Sequence, residues 1–344
     1  MKKIAFFDTK PYDKIYFDKY KDEFGFEIKY FESKLNPDTA YISKKYDAVC
    51  AFVNDDLSKD TVNELYDNGI SIVAMRCAGY NNVDFKEAYE KVHVVRVPAY
   101  SPYAVAEHTM ALLLCLNRKI HRAFNRTREY NFSLNSLIGF DINQKTIGVV
   151  GTGKIGRTFI NICKGFGANV IAYDAFIPKN TDIKYVTLDE LFEKSDIISL
   201  HCPLTKDTHH MINEKSIEKM KKGVYILNTS RGSLIDSEAL LNGLKTKKIG
   251  AAGLDVYEEE SDFFYEDLSY KIINDEILAG LISMPNVIIT SHQAFLTHEA
   301  LKNIAYVTLS NLSRYFNDEF LENEICYKCQ KYGKCDRDKG KRCF

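Results

Sequence analysis

No apolar run in this sequence approaches the roughly 20 residues needed to cross a bilayer, so it reads as a chain without a helical membrane span. The opening Met1-Lys2-Lys3-Ile4-Ala5-Phe6-Phe7-Asp8 reaches a charge after four apolar residues. That is too short for a secretory core, and a cytosolic protein is expected. Net charge is missing too. Lysine and arginine number 46 against 47 acids, leaving −1, without the basic excess of a nucleic-acid binder. Tryptophan is absent and only seven prolines occur; neither points to a function. Before the tail there is no low-complexity segment and no repeat beyond a β/α alternation.

What is present suits two filled cores. The chain has 344 residues, 45% of them apolar, more than one core usually serves. Short, mostly apolar runs at Ile4–Phe7, Ala48–Phe52, Ile72–Met75 and Val92–Val97 suit parallel strands buried on both faces. Helical stretches lie between them, such as Lys59–Asn68 before Gly69. Val97-Pro98-Ala99-Tyr100-Ser101-Pro102 breaks the pattern, and one long helix is expected from about Tyr103 to Arg128. A second series has strands at Thr146–Val150, Asn169–Tyr173, Asp196–Leu200, Gly223–Asn228, Gly250–Asp255 and Val287–Thr290. Six strands with intervening helices fit a doubly wound nucleotide-binding sheet. A last apolar-periodic helix carries Ile304, Val307, Leu309 and Leu312 to about Phe316. Of nine cysteines, Cys50, Cys77, Cys115, Cys163 and Cys202 lie mostly in apolar surroundings and read as buried reduced thiols.

Gly151-Thr152-Gly153-Lys154-Ile155-Gly156 is a G-x-G-x-x-G between a β run and a helical stretch, Arg157–Phe166. Gly151 permits the tight turn, Gly153 admits a pyrophosphate to the backbone, and Gly156 allows close helix packing. The helix N-terminus then favours the phosphates. Asp174, at the end of the next strand, suits the adenosine ribose hydroxyls and would repel a 2′-phosphate, which selects NAD over NADP. The competing reading is a structural glycine turn beside a solvated aspartate.

Hydride transfer to a keto acid needs a group to hold the carboxylate, one to polarise the carbonyl and one to supply a proton. Arg231, in Asn228-Thr229-Ser230-Arg231-Gly232, follows a strand, and its planar fork suits a carboxylate. Asp255-Val256-Tyr257-Glu258-Glu259-Glu260 follows another strand. It is either a solvated charge run or the source of an acid that holds a histidine. His292, in Ser291-His292-Gln293-Ala294-Phe295, follows the last strand and can exchange a proton near neutral pH. Taken singly, Arg231 could equally be a surface arginine and His292 a structural histidine.

Together these segments carry a resemblance. With Phe52-Val53-Asn54-Asp55-Asp56, Arg76-Cys77-Ala78-Gly79-Tyr80-Asn81-Asn82-Val83-Asp84, Val97-Pro98-Ala99-Tyr100 and His201-Cys202-Pro203-Leu204-Thr205, they run in family order over about residues 1–325. The sequence resembles the D-specific 2-hydroxyacid dehydrogenases, most closely their fermentative, lactate-specific bacterial branch. The resemblance implies two Rossmann/flavodoxin-like doubly wound parallel-sheet domains, with the cofactor domain (100–296) inserted into the substrate domain (1–99 and 297–325). It implies NAD as cofactor and a small 2-keto or 2-hydroxy acid as substrate, pyruvate and D-lactate first, with a 2-hydroxyisocaproate or a hydroxypyruvate or glyoxylate type of D-2-hydroxyacid dehydrogenase as the alternative. Arg231 is then the substrate-binding arginine, His292 the acid and base, and Glu260 its carboxylate partner, five residues past Asp255. Ala78 and Gly79 would bind the substrate carboxylate, and Tyr100, Phe52 and Phe295 would line the small pocket. Cofactor contacts would come from Gly151, Gly153, Lys154, Ile155, Gly156, Asp174, Cys202, Pro203, Thr208, Thr229, Ser230, Arg231, Asp255 and His292. Segment 103–130 resembles the family's dimer arm, which implies a homodimer or homotetramer. One departure is the bulky Tyr103 after Ser101-Pro102, where the family tends to have a polar residue.

Nothing in the family core corresponds to the Cys-rich tail, 326–344. Cys326-x2-Cys329-x5-Cys335-x7-Cys343 can close a tetrahedral thiolate site. A structural zinc ion is the expectation, with an iron–sulfur cluster or a redox-active or disordered tail as alternatives.

Overall fold

The structure is a computed structural model and describes residues 1–260, 263–328 and 342–344. The chain divides into two compact units, Met1–Ser101 with Thr297–Phe344, and Pro102–Leu296. The second unit is thus an insertion in the first.

The first unit begins with β1 (Lys2–Phe6), α1 (Pro11–Tyr20), β2 (Phe26–Tyr30), β3 (Ala48–Ala51), α2 (Lys59–Asp67), β4 (Ile72–Met75), α3 (Phe85–Ala88) and β5 (His93–Val95). The second unit holds α4 (Pro102–Arg118), α5 (Ile120–Arg128), β6 (Thr146–Val150), α6 (Lys154–Gly165), β7 (Asn169–Tyr173), β8 (Lys184–Tyr185), α7 (Leu188–Lys194), β9 (Ile197–Leu200), α8 (Glu214–Lys219), β10 (Val224–Asn228), α9 (Ser237–Lys245), β11 (Ile249–Leu254), α10 (Glu276–Ser283) and β12 (Val287–Ile289). The chain returns to the first unit with α11 (His298–Phe316) and β13 (Glu324–Ile325).

The first sheet has the order β13-β5-β4-β3-β1-β2. Its strands are parallel except β13, which runs antiparallel to β5. β3 and β4 are buried at every residue, as strands covered on both faces must be. The second sheet, β12-β11-β10-β9-β6-β7-β8, is parallel throughout. Its strand order reverses beside β6, the switch point where open α/β sheets take their ligands. Alternate side chains feed two cores. Ile198 and Ile226 join Leu240 and Leu281 on one face, while Ile197 and Leu227 meet Leu113, Phe159 and Ile160 on the other. This is the two-residue period of a strand buried on both sides.

Several elements differ from the sequence expectations. The helix expected over 103–128 is two helices, broken at Lys119, whose φ is +51°. The buried side of α4 ends at Leu116 and Asn117, and α5 buries no residue, so no core holds the second helix in line with the first. β2, β8 and β13 escaped the sequence reading. β2 buries only Phe26 and half-buries Ile28 and Tyr30, and β8 and β13 are two residues each, too short to show a pattern. Cys50 and Cys163 are buried thiols, but Cys77, Cys115 and Cys202 are half-buried. Cys77 and Cys202 lie just past the ends of β4 and β9, where the sheet no longer covers both sides. No helix among the described residues is long and apolar enough to cross a membrane.

Candidate active site

The glycine loop joins β6 to α6. Gly151 has φ +92°, and a Cβ there would lie 2.6 Å from the carbonyl of His201, so only glycine fits. A Cβ on Gly156 would come within 2.0 Å of Gly151 O, whereas one on Gly153 would meet nothing within 4 Å. The backbone at Gly153, with Lys154 and Ile155 in the first helical turn, is therefore open to an approaching phosphate. Asp174 follows β7 directly. Its Oδ2 accepts from Thr152 N at 2.6 Å and Thr152 Oγ1 at 2.9 Å, and its Oδ1 from Phe176 N at 2.9 Å. Partial burial opposes the charge. The hydrogen bonds from Phe176 and Thr152, with Arg157 nearby, outweigh it and hold the carboxyl below its ordinary pKa. A fixed carboxylate beside an uncovered helix N-terminus is what NAD requires of this loop, and these residues fit that cofactor.

Cys202, Pro203, Thr208, Thr229, Ser230 and Arg231, also assigned to the cofactor, sit in loops at the carboxyl ends of β9 and β10. Thr208 Oγ1 donates to Pro203 O at 2.8 Å and accepts from Thr205 N at 2.7 Å, shaping the loop after Cys202. Thr229 Oγ1 lies 2.8 Å from Thr109 Oγ1, and Ser230 Oγ donates to Leu200 O at 2.9 Å. These side chains are occupied within the protein, which leaves mainly backbone for a ligand.

Arg231, Glu260 and His292 follow β10, β11 and β12, three neighbouring parallel strands in which Asn228 pairs with Leu254 and Leu254 with Ile289. At about 4.8 Å per strand, the loops bearing them emerge side by side along one edge. Gly232 lets two of these loops meet, since a Cβ there would lie 2.1 Å from the Tyr257 carbonyl. His292 Nδ1 is 2.9 Å from Glu260 Oε1, and Tyr257 N donates to Glu260 Oε2 at 3.1 Å. The carboxylate is thus fixed by backbone and fixes the ring in turn through Nδ1. Arg231 Nη1 donates to Ser230 O at 2.6 Å. Asn228 braces that loop from both sides, accepting from Ser230 N and donating to Arg231 O.

Asp255 organises the loop of His292. It is fully buried; Oδ1 accepts from Thr290 Oγ1 at 2.6 Å and Gln293 N at 2.9 Å, and Oδ2 from Ala294 N at 2.8 Å. His292 N donates to Asp255 O at 2.7 Å. Within this frame His292 holds φ +52°, a conformation costing a non-glycine residue on the order of 1 kcal/mol or more. The side chain assigned to the cofactor by resemblance is therefore turned into the loop. Two members of this network were missed in the sequence, Thr290 and His108. His108 Nε2 lies 3.1 Å from Thr290 Oγ1 and 3.4 Å from Asp255 Oδ1. His108 comes from α4, far away in the chain, and only a polar residue within an apolar helix could have flagged it.

In the first unit, Phe52 is 5% exposed, with its ring 4.5 Å from the Arg76 guanidinium. Its N–H donates to Asp55 Oδ2 at 2.5 Å. Ala78 and Gly79 are half-buried just past β4, where Arg96 Nη1 donates to Ala78 O at 2.7 Å. Tyr100 O accepts from Asn303 Nδ2 at 2.7 Å. Phe295, in the second unit, is buried. Of the tail cysteines, Cys329 and Cys335 lie outside the described residues. Cys326 is buried and Cys343 half-buried. Among the described residues, the side chains with metal-ligating spacing are not these cysteines but His209, His210 and Glu258, so the expected zinc site gains no support.

Residues 110–294 match the family model for the D-isomer specific 2-hydroxyacid dehydrogenase, NAD binding domain. A 2-hydroxyacid dehydrogenase homolog of Haemophilus influenzae is 51% identical over 94% of this chain and 99% of its own. The D-lactate dehydrogenase of Escherichia coli is 49% identical over the same shares. Among solved structures, the pyruvate reductase of Chlamydomonas reinhardtii superposes with a TM-score of 0.89 at 42% identity, covering 94% of this chain and 98% of that one.

Proposed function

The chain belongs to the D-isomer specific 2-hydroxyacid dehydrogenase family, and from that premise we propose that it is a D-lactate dehydrogenase, reducing pyruvate reversibly to D-lactate. It is an NAD-dependent D-2-hydroxyacid dehydrogenase; the lactate assignment is the finer reading. The observation that carries the chemistry is the 2.9 Å pair between Glu260 and His292, on loops neighbouring that of Arg231. The names of relatives near half identity support pyruvate over longer acids.

NADH, held at the glycine loop, supplies the hydride. Arg231 binds the substrate carboxylate through its fork and orients the C2 carbonyl. Protonated His292 gives its Nε2 proton to the carbonyl oxygen as C2 gains the hydride, so charge never accumulates on that oxygen. Glu260 holds the ring through Nδ1 and stabilises its cationic form. In the reverse direction the neutral ring removes the hydroxyl proton of D-lactate. The segment around α5 exposes Ile120, Phe124, Phe132, Leu134 and Ile138, an apolar group that supports assembly with a second copy of this chain.

The test is NADH oxidation over pyruvate, glyoxylate, hydroxypyruvate and 2-ketoisocaproate, with chiral analysis of the product. Pyruvate should give the highest kcat/KM and D-lactate the only enantiomer. A higher kcat/KM for 2-ketoisocaproate would replace lactate with a branched acid, because apolar size alone discriminates by only about 1–3 kcal/mol per methylene. L-lactate would overturn the stereochemical assignment.

A further inference from the structure

We propose that His209, His210 and Glu258, in the second unit, form a binding site for a divalent transition-metal ion of the zinc class. The site is separate from the Glu260–His292 pair and does not depend on the substrate assignment.

The two histidines are consecutive in the loop between β9 and α8. Consecutive side chains of an extended chain point to opposite sides. Here His210 takes φ +50°, and both imidazoles come to one side, with ring centroids 3.9 Å apart and planes at 27°. The backbone of this turn is anchored. His210 N donates to Ser233 O at 2.9 Å, and Asn213 Nδ2 donates to His210 O at 2.7 Å. Glu258, four residues past β11, supplies the third donor. One of its oxygens pairs with His210 Nε2, and the other accepts from Ser237 Oγ at 3.1 Å. One ligand atom from each of the three residues lies within 4.8 Å of the other two.

Two imidazoles and a carboxylate are a donor set for zinc, with bonds of about 2.0–2.2 Å and hence donor separations of roughly 3.3 Å in a tetrahedral site. Side-chain rotation by His209, the exposed member, closes the remaining distance. Magnesium and calcium, which favour all-oxygen shells, fit poorly. His210 would shift its proton from Nε2, where it meets the Glu258 carboxylate, to Nδ1 and give the Nε2 lone pair to the ion, which replaces the hydrogen bond to Glu258 by two coordinate bonds. Three protein ligands leave the fourth position to water. The ion would fasten the loop after β9 to the segment that also carries Glu260, two residues beyond Glu258.

The experiment uses the full-length protein, stripped with a chelator and titrated with Co2+ and then Zn2+. The expected result is a cobalt spectrum of nitrogen and oxygen ligation, displacement by Zn2+, and a rise in Tm with Zn2+, since an ion that binds only the folded state stabilises it. His209→Ala leaves the His210–Glu258 bond in place. It should weaken Co2+ binding at least about tenfold and abolish the Zn2+-dependent rise in Tm, while metal-free turnover is unchanged. Undiminished Co2+ affinity in His209→Ala overturns the site. So does a cobalt spectrum consisting only of the thiolate charge-transfer band, which would place the ion on cysteine.

Discussion

His292 is held in a left-handed conformation by Asp255 and tied through its ring to Glu260, so its place is fixed before any substrate arrives. Replacing it with alanine removes the proposed proton donor while leaving the glycine loop untouched. His292→Ala should therefore lower kcat for pyruvate reduction by about 10²–10⁴-fold, with NADH affinity, followed by nucleotide fluorescence, nearly unchanged. Parallel loss of NADH binding would mean that the ring supports the cofactor rather than the proton transfer. Asp174→Ala acts at the other end of the site. The KM for NADH should rise about tenfold or more, as for a lost hydrogen bond to a charged group. The KM for NADPH should change less, and an unchanged ratio of the two removes Asp174 from cofactor selection. The sequence made Asp174, Arg231 and His292 visible because each lies within three residues of the end of an apolar strand. It could not divide Glu258, Glu259 and Glu260 by spacing alone. The fold does: Glu258 turns to His210 and Glu260 to His292. Asp255 and His108 meet across 147 positions, a contact that no local pattern encodes.

Parallel strands β10, β11 and β12 decide which loops can share chemistry, and glycine decides how closely those loops approach. A methyl group on residue 232 would lie 2.1 Å from the Tyr257 carbonyl. Gly232→Ala must therefore push the loop of Arg231 away from the segment bearing Glu260. Overpacking of this kind costs about 1–3 kcal/mol, and a small displacement of a positioned group lowers turnover further. The variant should show a reduced Tm together with a reduced kcat. A lowered Tm with full kcat would show that the two loops need no mutual registration. The buried strands of this sheet were legible because each is a nearly continuous apolar run; Asn169–Tyr173 and Thr146–Val150 coincide with the expected bounds. The edge strands β2, β8 and β13 were not, because β2 buries only Phe26 and β8 and β13 are two residues each, whereas the edge strand β12 kept its apolar run and was visible. The break at Lys119 was hidden for a related reason. Residues 120–128 have the helical period but no core contact, so composition alone continued the helix.

Across the whole molecule, each unit has its own sheet and core, and stability need not respond to pH equally in both. The first unit buries a carboxylate completely. Asp55 is 2% exposed, and its pKa is pushed up to about 7, chiefly by burial, against the opposing influence of Arg76 and the N–H donors of Phe52 and Leu35. Asp13 is raised as well, again chiefly by burial. An unfolded aspartate releases its proton near pH 4. Between about pH 4 and pH 7 the folded chain therefore holds a proton that the unfolded chain has lost. More protons bound in the folded state make stability fall as pH rises, by at most about 1.4 kcal/mol per pH unit within that window. This contribution is complete below pH 4 and gone above pH 7. Carboxyls with lowered pKa, such as Asp47 and Asp196, give the opposite slope, so the wild-type profile is a sum and the informative measurement is a difference. Denaturant unfolding of wild type and Asp55→Asn, followed from pH 4 to pH 7.5, should show the variant losing less stability, or gaining more, over this range than wild type. The asparagine keeps one acceptor for the Leu35 and Phe52 amides, so the variant is expected to fold with a lower but measurable stability. Parallel profiles would mean that Asp55 is ionised throughout, and that the Arg76 charge and the two amides outweigh its burial.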